Sequence, residues 1–147
     1  MRALVQRVKE SRVVVRGETV GQIGMGLNIL LGVGVGDKEE DAKKLVEKIV
    51  NLRIFEDEEG KFNLSLLDVK GSALVVSQFT LYANIKKGRR PSFELAEKPP
   101  RAKELYELFV EEMSKWVPTQ RGIFGEHMEV YIVNWGPVTL LLDSKEL

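Results

Sequence analysis

The chain has 147 residues, with 22 Lys and Arg, 22 Asp and Glu and a formal net charge of zero at pH 7. This length suits one domain, here residues 1–147, and neutrality means that any contact with nucleic acid must come from a local patch. The chain contains no cysteine, which excludes disulfides, thiolate metal sites and a cysteine nucleophile and predicts a cytoplasmic protein.

Three further classes of function are disfavoured by the residue pattern. No segment reaches the ~18 consecutive apolar residues of a membrane span, so we expect no membrane partner. His127 is the only histidine, so a Ser-His-Asp triad would depend on that residue alone. No metal-ligand spacing is present, and the sequence predicts neither a metal nor another cofactor.

The first half of the chain predicts four strands, one helix and then a fifth strand. Apolar residues at helical spacing, with lysines and glutamates on the other face, predict a helix over 38–50. Residues 57–60, "DEEG", predict a turn. Runs rich in Val, Leu and Ile predict strands over five segments: 2–8, 12–16, 19–24, 27–35 and 52–57.

The second half predicts two long strands on either side of a second helix. The first strand begins near Ser72, and the helix lies between Pro99-Pro100 and Pro118, with an apolar stripe that ends at Trp116. A final strand over 128–143 is interrupted by Gly136-Pro137. This order predicts an α+β fold, in which a mainly antiparallel sheet or open barrel is covered by two helices.

Residues 75–82, "VVSQFTLY", begin as a buried strand and then become polar. Ser77, Gln78 and Thr80 each carry a group that costs roughly 1–3 kcal/mol if it is buried without a partner. Either these side chains are hydrogen-bonded structural residues, or the strand ends in a functional site.

Three other features are unusual for their predicted surroundings. The Gly136-Pro137 peptide breaks a strand pattern, which indicates a bulge or a backbone segment presented to a ligand. Arg7 lies in an apolar strand, so its guanidinium must reach solvent or be paired inside the protein. The segment "KKGRRPSF" at 86–93 is either a solvated loop or a phosphate contact, with four cations: Lys86, Lys87, Arg89 and Arg90.

The motifs "SQFTLYA" at 77–83 and "NWGPVT" at 134–139 resemble the two signatures of the D-aminoacyl-tRNA deacylase family, also called D-tyrosyl-tRNA deacylase. The start "MRALVQRV", "KGRRPSF" and "GIFGEHM" at 122–128 occupy matching places, so the resemblance covers essentially the whole chain. Trp135 and Glu126 depart from the family, which usually has an acidic residue and alanine at these positions.

The resemblance implies a homodimeric hydrolase that cleaves the ester between a D-amino acid, or glycine, and the terminal ribose of tRNA. In this family pattern Ser77 and Gln78 contact the substrate, and a backbone N–H near Phe79 or Thr80 stabilises the oxyanion. Gly136 and Pro137, joined by a cis peptide, enter the active site of the partner subunit and reject L-amino acids. The resemblance further implies that Arg7, Asn134 and Thr139 support this segment.

Several alternatives remain open at the level of the sequence. Thr80 could act as a covalent nucleophile, although no base lies next to it in the sequence. The chain could instead be a non-catalytic tRNA-binding module or an oligomer that binds a small molecule. His127 is expected to be structural or a minor substrate contact, and the preferred amino acid and tRNA are not encoded in any motif.

Overall fold

The computed structural model describes all 147 residues and is organised around its first strand, β1 (Arg2–Val15). Residues 2–8 of β1 pair antiparallel with β3 (Gly26–Gly32), whereas residues 11–15 pair with β2 (Glu18–Ile23). The two strands predicted over 2–8 and 12–16 are therefore one continuous strand, because each half has its own neighbour.

Helix α1 (Glu39–Asn51) follows β3 and agrees closely with the predicted helix. Its apolar face is buried, and the Asp41 carboxylate accepts a hydrogen bond of 2.8 Å from the Lys38 N–H. Burial alone would raise the pKa of Asp41, but hydrogen bonds from Lys38, Ser144 and Lys145 lower it to about 2. Asp41 is therefore ionised at neutral pH and joins the start of α1 to the last residues of the chain.

The segment after α1 contains less strand than the sequence predicts. Only β4 (Phe55–Glu56) forms within residues 52–57, and it pairs with β5 (Phe62–Leu64) across the predicted turn at 57–60. The Ile54 carbonyl accepts a hydrogen bond from the Arg7 side chain. This carbonyl therefore accepts its hydrogen bond from a side chain and not from the backbone of a neighbouring strand. A short helix, α2 (Leu66–Val69), follows.

The second half of the chain contains β6 (Ser72–Ser77), α3 (Arg101–Ser114), β7 (Thr119–Arg121) and β8 (Glu129–Asp143). Helix α3 begins after Pro99 and Pro100 rather than including them in its first turn. Trp116 was expected in the apolar stripe of this helix, but α3 ends at Ser114 and the Trp116 side chain is 49% exposed. The stripe is otherwise buried as predicted.

The strands form one mixed sheet in the order β2-β1-β3-β6-β7, and β8 pairs with the other side of β1. The sheet curls until β2 approaches β7, where a Cβ atom added to Gly21 would lie 2.5 Å from the Arg121 carbonyl oxygen. The predicted α+β class and open barrel are confirmed. Two pairings, β3 with β6 and β6 with β7, are parallel.

Parallel pairing explains the positions of the two long helices. Helix α1 lies in the connection from β3 to β6, and α3 lies in the connection from β6 to β7. Together they cover one face of the sheet over the larger apolar core, whereas a smaller core occupies the opposite face, which the curled sheet encloses. No helix is both long enough and apolar enough to cross a membrane.

Candidate active site

The polar segment that follows β6 is not a continuation of the strand. Strand β6 ends at Ser77, the Gln78 N–H donates to the Leu31 carbonyl at 2.8 Å, and residues 79–82 form a single turn of 3-10 helix. The backbone N–H groups of Phe79 and Thr80 have no hydrogen-bond partner within the chain, as expected at the start of a helical turn. The segment thus ends the strand and presents two backbone donors.

A pocket of about 590 Å³ lies at this strand end. Strands β3 and β6 are parallel neighbours, so their carboxyl ends meet at the same edge of the sheet, where ligands commonly bind in α/β sheets. Val33 follows β3 and Ser77 ends β6, and both line the pocket. The position of the pocket is therefore a consequence of the parallel pairing.

The predicted substrate-contacting residues Ser77 and Gln78 and the predicted catalytic residue Phe79 line this pocket. Thr80 does not line it, although its hydroxyl accepts a hydrogen bond from the Gln78 side-chain amide. No basic side chain hydrogen-bonds to Thr80. Tyr82 closes the turn, and burial, followed by the nearby Asp37 carboxylate, raises the pKa of its hydroxyl.

The pocket walls contain apolar and aromatic residues that were not predicted as site residues. Phe79 is 54% exposed and makes an edge-to-face contact with Phe93, with ring centroids 5.0 Å apart. Phe124, Met128 and Val130 also contribute. The sequence offered a signal, because Phe93, Phe124 and Met128 belong to the two loop motifs that match the family. It did not show that these loops converge.

His127 and Glu126 also line the pocket. The sequence could not place His127, and the structure puts its exposed side chain at the wall without a hydrogen bond to Thr80. Glu126, one of the two departures from the family pattern, pairs with Arg16 at 3.0 Å. The pocket therefore contains ionisable groups, but none is hydrogen-bonded to a nucleophile.

The Gly136-Pro137 peptide lies in a wide bulge of β8 and is cis. Gln6 pairs with Thr139 and Val8 pairs with Asn134, so residues 135–138 of β8 face a single residue of β1. The Asn134 side-chain amide donates to the Thr139 hydroxyl at 2.8 Å, and its oxygen accepts from the Val138 N–H at 3.3 Å. Asn134 and Thr139 thus brace the bulge from both sides.

Arg7 is the residue of β1 that faces the bulge, and the structure shows it buried, with 2% of its surface exposed. Its guanidinium donates to the Trp135 carbonyl and the Ile54 carbonyl, each at 3.0 Å, and approaches Glu56 at 3.5 Å. The Trp135 ring, the other departure from the family pattern, stacks 4.4 Å from the guanidinium. Arg7 therefore connects β1 to the bulge and to the 54–56 segment.

Gly136 and Pro137 are exposed and do not line the pocket of their own chain.

Four cations predicted to bind phosphate, Lys86, Lys87, Arg89 and Arg90, lie in an exposed loop and form no ion pair within the chain. This cationic loop, residues 86–90, is closed by paired backbone hydrogen bonds between Asn84 and Ser92. Because Phe79 before the loop and Phe93 after it both line the pocket, the cationic loop begins and ends near the pocket rim.

Residues 4–143 match the family model described as D-Tyr-tRNA(Tyr) deacylase. Proteins named D-aminoacyl-tRNA deacylase from Aquifex aeolicus and Sulfurihydrogenibium sp. are 64% and 65% identical to this chain, each with 100% of both chains covered. These similarities extend over the strand end, the bulge and the cationic loop alike.

Two solved structures have the same fold. One, titled c-Myc DNA Unwinding Element Binding Protein, is 41% identical with a TM-score of 0.92 and covers 97% of this chain and 98% of its own. The other, a probable eukaryotic D-amino acid tRNA deacylase, has a TM-score of 0.79 at 18% identity, with the same coverage. At that identity the second structure supports the fold alone.

We predict that Arg7→Lys lowers the free energy of unfolding by about 1–3 kcal/mol, because a lysine ammonium cannot reproduce the planar fork that donates to two carbonyls. Urea denaturation monitored by circular dichroism measures this change.

The matched control is Arg12→Lys, since the half-exposed Arg12 guanidinium stacks on the Tyr131 ring at 3.9 Å and makes no hydrogen bond to a carbonyl. We expect a change below about 0.5 kcal/mol for the control. Equal effects of the two substitutions would show that the carbonyl contacts of Arg7 do not stabilise the bulge.

Proposed function

The chain belongs to the D-Tyr-tRNA(Tyr) deacylase family, and we propose that it hydrolyses the ester bond between a D-amino acid and the terminal ribose of tRNA. The products are the free D-amino acid and tRNA. The observation that carries this proposal is the pocket at the end of β6, which Ser77, Gln78 and Phe79 line and beside which the Phe79 and Thr80 N–H groups are unpaired. Because its substrate is a mischarged form of the tRNA that translation uses, the proposal places the enzyme in the cytoplasm.

Ester cleavage requires stabilisation of the negative charge that develops on the carbonyl oxygen. The free N–H groups of Phe79 and Thr80 suit this task, since one oxyanion donor is typically worth ~2.7–4 kcal/mol. Water adds to the carbonyl carbon, the ribose oxygen leaves with a proton, and the neighbouring ribose hydroxyl orients the water or transfers that proton. A group supplied by the substrate in the correct orientation provides a large effective molarity without a protein base.

The polar side chains of the pocket orient the terminal adenosine in this proposal. Ser77 and Gln78 provide hydrogen-bonding groups, and Phe79 and Phe93 provide an aromatic wall. The cationic loop supplies charges to the tRNA backbone, because Lys86, Lys87, Arg89 and Arg90 are exposed beside the rim. Phosphate contacts of this kind position the substrate without reading its sequence.

The Gly136-Pro137 backbone distinguishes D-amino acids from L-amino acids in this proposal. Its carbonyl groups bind the substrate α-amino group, and the side chain of an L-amino acid held in this way would clash with the main chain. Asn134, Thr139 and Arg7 support the proposal because they fix the segment from three sides. A backbone obstacle excludes one enantiomer for every side chain, and glycine, which has none, is also accepted.

The pocket and Gly136-Pro137 come from different subunits of a homodimer. Strand β8 supports this arrangement, because it has 15 residues, pairs only with β1 and leaves its other edge unpaired. Apolar side chains remain exposed along it, including Tyr131 at 45%, Val133 at 47% and Leu141 at 62%. An open edge with apolar side chains is suited to pairing with another chain, and two-fold symmetry would complete two sites at once.

A non-catalytic nucleic-acid-binding role is the second candidate. The 41% identical structure carries the name of a DNA element-binding protein, and the unpaired cations of residues 86–90 suit any nucleic-acid backbone. Binding of aminoacyl-tRNA without ester cleavage would favour this role.

We expect the purified chain to deacylate D-tyrosyl-tRNA at least about 100-fold faster than L-tyrosyl-tRNA, because the backbone clash raises the barrier only for the L-ester. Release of the labelled amino acid measures both rates, and spontaneous hydrolysis without enzyme is the control. Equal rates for the two esters would reject chiral discrimination, and no hydrolysis of either would reject the enzymatic proposal.

We predict that Thr80→Ala and His127→Ala each keep kcat on D-tyrosyl-tRNA within about fivefold of the unmodified chain, since substrate-assisted hydrolysis needs no side-chain nucleophile or base. Single-turnover kinetics with saturating enzyme separate binding from chemistry. Complete loss of turnover with intact binding in Thr80→Ala would establish the covalent route. The same result in His127→Ala would identify an imidazole base.

A two-subunit site also predicts complementation between inactive variants. Phe79→Asp damages the pocket and Gly136→Glu damages the inserted segment, so each homodimer should be inactive. After the two chains are refolded together, mixed dimers have one intact site each, and about a quarter of the original activity should return. Refolding either variant alone is the control. No recovery despite mixed dimers on native mass spectrometry would show that each site uses residues of a single chain.

A further inference from the structure

A second cleft adjoins the active-site pocket between α3 and β7. It has a volume of about 250 Å³ and shares Phe124 with the pocket, so the two spaces are neighbours on the surface. Lys103, Tyr106 and Glu107 of α3 line one side, whereas Arg121 and Ile123 lie on the other side. Lys103, Glu107 and Arg121 lie outside the motifs that resemble the family, whereas Ile123 and Phe124 belong to one of them, at 122–128.

The cleft contains two cations and one anion. Arg121 is exposed and forms no ion pair within the chain. Lys103 is 57% exposed and lies 4.0 Å from Glu107, at the limit of an ion pair. A contact of this length between exposed groups contributes little to stability. Both cations therefore remain available to an anionic ligand.

The backbone holds Arg121 in a defined position. Arg121 pairs with Val75 of β6 in the ladder, and the Gly122 N–H donates to the Val75 carbonyl at 3.2 Å. The Tyr106 hydroxyl donates to the same carbonyl at 2.9 Å, and burial raises its pKa to about 12. Tyr106 is thus a neutral aromatic wall, and charge recognition in the cleft depends on Arg121 and Lys103.

We propose that this cleft binds the phosphodiester that joins the terminal nucleotide of the tRNA to the rest of its 3′ strand. The assignment depends on the proposed function, which puts the terminal nucleoside in the pocket. A polynucleotide must continue out of that pocket, and its first phosphate lies within one nucleotide of the ester. Arg121 offers a planar fork of donors that suits phosphate oxygens, and Lys103 adds a second charge.

Substrates of different length test the assignment. D-Tyrosyl-adenosine lacks the phosphodiester, whereas a D-tyrosyl trinucleotide with the sequence CCA contains it but lacks the tRNA body that the cationic loop would contact. For Lys103→Gln with Arg121→Gln we expect KM for the trinucleotide ester to rise roughly tenfold with kcat unchanged. The kinetic constants for D-tyrosyl-adenosine should not change.

The control removes two charges elsewhere, by Lys43→Gln with Lys48→Gln on the exposed face of α1. It should leave kcat and KM unchanged for both esters. Glu107→Gln provides a test in the opposite direction. Removal of this carboxylate should lower KM for the trinucleotide ester because the anion no longer opposes the phosphate.

Three results would overturn the assignment while leaving the proposed function intact. They are an equal rise of KM for both esters, no rise for either, and inhibition by millimolar inorganic phosphate that Arg121→Gln abolishes while the KM for the trinucleotide ester stays unchanged. The last result would assign the cleft to a free phosphate. Failure of the unmodified chain to cleave either ester would instead reject the proposed function, and the assignment with it.

Discussion

The buried guanidinium of Arg7 is the interaction on which the shape of the candidate site depends. It donates to carbonyl groups of two separate segments, at Ile54 and Trp135, and opposes the four-residue bulge of β8. A buried charge is retained only when it is paired and hydrogen-bonded, so this position is satisfied only while the bulge and the 54–56 segment stay in place. The Trp135 ring lies over the guanidinium and adds a cation–π contact to its hydrogen bonds.

The pocket depends on a second constraint, the parallel pairing of β3 and β6. This pairing brings the end of β6 beside the residues that follow β3, and the chain then turns immediately into a 3-10 helix. The turn leaves two backbone N–H groups without partners at the site where the proposed ester would be cleaved. The same geometry places Phe93, three residues after the cationic loop, against Phe79. In the proposed function, ester cleavage and substrate contact are thus linked through one strand end.

The sequence predicted local structure well where one physical preference dominated. Helix α1 followed from its apolar spacing, and Gly136-Pro137 was identified as an irregularity because proline cannot donate to a ladder. Trp116 was assigned to the core by periodicity alone, but the helix ends before it. The polar residues after β6 were recognised as unusual, although the sequence alone left open whether they were structural or part of a site.

By itself the sequence determined the two long helices and the long strands, the α+β class, the absence of thiol chemistry and the two motifs that resemble the family. Those properties are local, since they depend on residue type and spacing along the chain. Only the tertiary structure decided that Arg7 is buried rather than solvated, that β6 pairs in parallel, and that Phe124 and His127 reach the pocket wall. These outcomes depend on contacts between segments far apart in the chain, and no local pattern specifies which segments will meet.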